Sequence, residues 1–127
     1  MKKAISIPNA PAPVGPYSQA IQTGNMLFVS GQIPLNPIDG QLVLTSIEAS
    51  THQVMKNIES LLTAANFKWE HVVKCSIFLK DLNDFSKVNG IYASYFSEIP
   101  PARETVQVAK LPLDVTIEIS CIAIKSE

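Results

Sequence analysis

The ten residues Val115–Ile124, VTIEISCIAI, constrain this chain more than any other stretch. Side chains alternate across a strand, so Val115, Ile117, Ile119, Cys121 and Ala123 share one face, which is wholly apolar. The opposite face carries Thr116, Glu118, Ser120, Ile122 and Ile124 and is only half apolar. A strand like this belongs inside a sheet, with one face packed against helices.

The rest of the chain supplies partners for it. Ala4 to Ile7 reads as a short edge strand, and Pro8 to Pro16 as an ordered, irregular loop with four prolines and a glycine. Gln19 to Thr23 and Met26 to Gln32 read as strands joined by the tight turn Gly24-Asn25. Pro34 to Gly40 is another turn-rich loop. Ser50 to Ala65 is a helix with Val54, Ile58, Leu61, Leu62 and Ala65 on one face, and Asn66 suits its end. Val72 to Leu79 is a strand. Asn83 can cap a second helix, Asp84 to Phe96, whose apolar face is Phe85, Val88, Tyr92, Tyr95 and Phe96. Glu104 to Val108 is a further strand.

The order β-β-β-α-β-α-β-β predicts an α+β domain over 1–127, a mixed sheet with both helices on one face. No third helix exists to cover the second face of the last strand. An exposed face bearing Ile122 and Ile124 is an apolar patch, and another copy of the chain is the expected cover.

Composition narrows the function. The 127 residues are 46% apolar and 17% charged, which suits a packed core and excludes disorder. A net charge of −1 without a basic stripe argues against a dedicated nucleic-acid binder. The opening MKKAISIP has an apolar run too short for a signal peptide, and no window approaches membrane-spanning length. Cys75 and Cys121 lie inside apolar runs and read as core residues in a reducing compartment. The expected location is the cytoplasm, with no membrane partner.

Two residues stand out chemically. In IPPARETVQV, Pro100 and Pro101 stiffen the backbone before Arg103, which presents the arginine at the mouth of a strand. Its planar fork suits a carboxylate or phosphate, although a structural ion pair or a plain surface cation accounts for it equally well. Glu118 is the odd residue of its strand. It is either a solvent-facing carboxylate or a carboxylate in a partly covered cleft, where desolvation would raise its pKa toward that of a general base. Tyr17 follows Gly15-Pro16 and is a half-buried anchor or a pocket wall. At Ser30-Gly31 the glycine permits close approach by a ligand or another chain, and a bulge explains it as well. His52 and His71 lack companions at ligand spacing, so no metal site is expected. No phosphate loop or nucleophile elbow is present.

Several segments together resemble the reactive intermediate deaminase family, also called the YjgF family. They are NAPAPVGPYSQAI from Asn9, FVSGQIPLNPIDG from Phe28, VVKCSIFLKDLNDFSKVNGIY from Val72, PARETVQVAKLP from Pro101 and VTIEISCIAI from Val115. The resemblance implies a chorismate-mutase-like fold and a homotrimer, with the sheets packed inside and a ligand cleft between each pair of subunits. It implies hydrolysis of short enamines and imines, such as 2-aminoacrylate and 2-iminobutanoate, to 2-keto acids and ammonia without a cofactor. Arg103 would bind the substrate carboxylate and Glu118 would activate the water. Tyr17, Ser30, Gly31 and Asn89 would shape the pocket, with Thr105 standing where well-studied deaminating members often have cysteine. The resemblance also leaves two alternatives: a non-catalytic binder of 2-keto acids, and a ribonuclease or translation inhibitor.

Overall fold

The computed structural model describes residues 1–8 and 15–126. It contains one six-stranded sheet and two α-helices in the expected order. The strands are β1 (Lys3–Ile5), β2 (Ala20–Thr23), β3 (Met26–Gln32), β4 (Val72–Leu79), β5 (Ala102–Gln107) and β6 (Ile117–Ile124). The helices are α1 (Ile47–Ala64) and α2 (Phe85–Ala93). Most of the loop expected over Pro8–Pro16 lies outside the described residues.

The sheet order is β1-β2-β3-β6-β4-β5. The last strand is therefore central: β6 runs antiparallel to both β3 and β4, while α2 carries the chain from β4 to its parallel neighbour β5. Gly24 adopts φ 58°, which lets the two-residue turn close the β2–β3 hairpin.

Helix α1 starts earlier than its apolar periodicity indicates. The hydroxyl of Ser46 accepts from the Ala49 N–H at 3.0 Å and caps the first turn, so Ile47–Ala49 join the helix. Asn66 ends it at φ 63°, and the Phe67 N–H then donates back to the Leu62 carbonyl at 2.8 Å. Val54, Ile58, Leu61 and Leu62 are fully buried, each contributing about 2 kcal/mol of transfer free energy. Buried Asn57 donates to the carbonyls of Ile33 and Leu35, which pins the loop after β3 against the helix.

Helix α2 is shorter than expected. It begins at Phe85, after a 3-10 turn at Leu82–Asp84 whose Asp81 side chain accepts from the Asn83 N–H. It ends at Ala93. Tyr95 and Phe96 follow it and pack against Trp69. β5 begins at Ala102, so Arg103 lies inside a strand rather than at its mouth.

Both helices cover one face of the sheet. Leu27, Val29, Cys75, Ile77, Leu79, Ile117, Ile119, Cys121 and Ala123 form its buried floor, in one core with Val54, Met55, Ile58, Val88 and Tyr92. Both cysteines are buried in that floor, as expected, and face each other across β4 and β6. The other face shows Phe28 at 39% exposure and Ile124 at 38%, and neither α1 nor α2 lies on it. No described helix is long and apolar enough to cross a membrane.

Candidate active site

The candidate residues fall into two groups, one on each face of the sheet. The first surrounds Arg103. In the β4–β5 register Arg103 stands opposite Cys75, a floor residue, so its side chain projects toward α2. There Phe85, Asn89 and Tyr92 recur at steps of four and three residues and present one helix face. Asn89 Oδ1 accepts from Arg103 Nη1 at 2.7 Å. The guanidinium carbon lies 5.4 Å from the Phe85 ring centroid and 5.1 Å from that of Tyr92. The arginine is thus clasped by two rings and one amide. Among the described residues no carboxylate pairs with it.

A cavity of about 500 Å³ opens beside this cation, walled by Asn89, Tyr92, Phe96, Pro100, Pro101 and Arg103. The two prolines therefore shape a pocket wall as well as stiffening the approach. Thr105 lies two residues along the same strand, and its hydroxyl is buried without a hydrogen-bond partner. Tyr92 is buried against Cys75, and desolvation pushes the pKa of its hydroxyl well above the ordinary value. That proton stays in place at any physiological pH.

The second group surrounds Glu118. Its strand neighbours Ile117 and Ile119 are buried in the floor, so Glu118 projects to the open face. It is half-buried, and that burial raises its pKa above the usual carboxylate range. Gly31 packs directly against it, and any side chain at that position would collide with the Glu118 carboxylate. The group that approaches this glycine is thus a side chain of the same chain, where a ligand or another chain was expected. The bulge is present, because the β3–β6 register slips between Val29 and Gln32. The Ser30 hydroxyl donates to the Ser18 carbonyl at 2.6 Å, and the Ser30 N–H to the Gln19 carbonyl at 2.9 Å. These bonds tie the bulge to the segment bearing Tyr17, which is 54% exposed rather than half-buried.

Arg103, Asn89 and Thr105 therefore share one region, and Glu118, Gly31, Ser30 and the Tyr17 segment share another. Arg103 and Glu118 belong to one sheet but not to one site within the chain. They lie two strands apart, about 10 Å across the sheet, and point to opposite faces. Within one chain they cannot touch the same small ligand. Phe85 and Tyr92 were absent from the expected site. Their spacing with Asn89 is visible in the sequence, but it reads there as an ordinary core face.

A family model described as Endoribonuclease L-PSP matches residues 7–125. RutC family protein PH0854 of Pyrococcus horikoshii is 51% identical over 98% of this chain and 99% of its own length. The 2-iminobutanoate/2-iminopropanoate deaminase of Escherichia coli K12 is 45% identical over 98% of this chain and 99% of its own. The crystal structure of the Escherichia coli YjgF gene product superposes with a TM-score of 0.92 at 43% identity, covering 98% of this chain and 99% of that one. A match over nearly the whole length, in sequence and in fold, places the chain in the reactive intermediate deaminase (YjgF) family.

Proposed function

We propose that this protein hydrolyses short 2-imino acids and their enamine tautomers to 2-keto acids and ammonia, at a site completed by two copies of the chain in a homotrimer. The observation that carries the reading is Arg103: an arginine clasped by Phe85, Asn89 and Tyr92, without a carboxylate partner among the described residues, beside a cavity. Its free N–H groups suit a substrate carboxylate. The deaminase name of the Escherichia coli relative supports the same chemistry.

In this mechanism the arginine of one copy fixes the substrate, which holds the imine carbon near the attacking water. Glu118 of a second copy accepts a proton from that water as its oxygen bonds to C2. The imine reacts in its protonated form, so this addition gives a neutral carbinolamine. Glu118 returns the proton to its nitrogen. As the C–N bond breaks and ammonia leaves, the Glu118 carboxylate takes the hydroxyl proton and the carbonyl forms. The raised pKa of Glu118 suits a group that must both accept and return a proton.

The test is to generate 2-iminobutanoate in situ and follow its loss. The wild-type protein accelerates hydrolysis and Arg103→Ala does not. Arg103→Lys keeps the charge, loses the fork and falls about 10- to 100-fold in kcat/KM. Absence of acceleration by the wild type rejects the reading. Binding of 2-ketobutyrate by calorimetry without turnover would then favour the 2-keto acid binder. The ribonuclease reading finds less support: the net charge is −1, and Lys74 on the open face is paired with Glu104 at 3.0 Å.

A further inference from the structure

Three aromatic rings meet beyond the C-terminal end of α2. Trp69 lies 5.5 Å from Tyr95, with the ring planes 57° apart, and 5.2 Å from Phe96, with the planes 81° apart. The Trp69 ring is thus well out of plane with each neighbour, and together the rings form a corner. Each is also held from outside the corner. The Trp69 indole N–H donates to Glu59 Oε2 at 2.9 Å, and the Tyr95 hydroxyl is hydrogen-bonded to His52 Nδ1 at 2.9 Å. Phe96 packs on Tyr92 at 4.9 Å.

A cavity of about 360 Å³ opens on this corner, with Glu70 and Glu98 among its walls and no lysine or arginine. Among the described residues neither carboxylate makes an ion pair or a hydrogen bond. Preorganised rings, two unneutralised carboxylates and no cation are the chemistry that recognises an organic ammonium ion. A hard metal ion would need several converging oxygens, and among the described residues no group of potential ligands converges.

We propose that this cavity binds a small alkylated ammonium ion, of the kind found at the head of a quaternary or methylated amine. Its alkyl groups lie against Trp69, Tyr95 and Phe96, and Glu70 and Glu98 balance its charge. The cavity adjoins the one at Arg103, and Phe96 and Glu98 line both.

Trp69 is the sole tryptophan of the chain, so its fluorescence reports on this corner directly. Titration with tetramethylammonium chloride, against sodium chloride at matched ionic strength, gives a saturable change in Trp69 emission. The double substitution Glu70→Gln, Glu98→Gln alters only exposed side chains and weakens that binding about tenfold or more. Choline binds, and its uncharged isostere 3,3-dimethylbutan-1-ol does not. Three results overturn the proposal: no saturable change beyond the sodium control, equal binding of the uncharged isostere, or undiminished binding by the double variant.

Discussion

The two faces of the sheet are made by the same strands and obey different rules. On the helix side, β3, β4 and β6 contribute only apolar residues to the floor up to Gln32, and all are buried. On the open side the same strands show Phe28, Ser76, Phe78, Glu118, Ser120, Ile122 and Ile124. Polar groups there are partly paired with one another: Lys74 with Glu104, and Ser76 with Glu104, whose pKa those two contacts lower. A face meant for water would not keep Phe28, Ile122 and Ile124. A face meant for helices would not keep a half-buried glutamate. The mixture suits another protein surface that brings both apolar contact and a ligand, and a second copy of this chain fits that description.

The sharpest way to break this comparison is to divide the proposed site between copies. Arg103→Ala and Glu118→Gln each lose about a thousandfold in imine hydrolysis, or about 4 kcal/mol. Mixed in equal amounts and reassembled, the two inactive proteins recover about a quarter of wild-type activity, since random pairing joins an intact Arg103 to an intact Glu118 at one site in four. A site contained within one chain would recover nothing.

The next effect compares the two faces directly. Ile119→Ala removes a fully buried side chain from the helix side and costs about 2–5 kcal/mol in denaturant unfolding. Ile122→Ala acts on the open side. Its expected signature is loss of oligomer mass in sedimentation at concentrations where the parent stays assembled. An unchanged mass would mean that Ile122 faces water.

The smallest effect is electrostatic. The pKa of Glu118 is raised by burial, so the folded state holds its proton more tightly than the unfolded state does. Stability therefore falls as pH rises from the ordinary carboxylate value through the raised one. Glu118→Gln removes that loss and raises Tm by about 1–2 °C at pH ~7, with no gain below pH ~4. Equal Tm values for the two proteins at both pH values would place Glu118 in solvent.

Much of the fold is legible because its signals are local. The alternation of Val115–Ile124 and the three- and four-residue steps of α1 need no tertiary information. The start of α1 was readable too, since Ser46 is a strong capping residue; the apolar pattern begins later and hides it. The end of α2 was not readable. Tyr95 and Phe96 extend the apolar period, and only the backbone shows that the helix has stopped: their N–H groups donate to the carbonyls three residues back, those of Tyr92 and Ala93, each at 3.2 Å.

The site divides in the same way. Arg103 was legible from its prolines and Glu118 from its apolar neighbours. Their separation was not. The segment Arg103–Gln107 alternates without a clear apolar side, so only pairing with Cys75 decides which way Arg103 points. The ring clasp likewise needs the crossover through α2 to bring Phe85 and Tyr92 over β5.

That separation reaches beyond geometry. A chain whose arginine and glutamate look in opposite directions cannot finish its own site, however well it folds. On the proposed function, a newly made or diluted copy would be inert, and catalysis would begin only when copies meet. Output would then climb more steeply than the amount of protein wherever copies are too few to assemble fully.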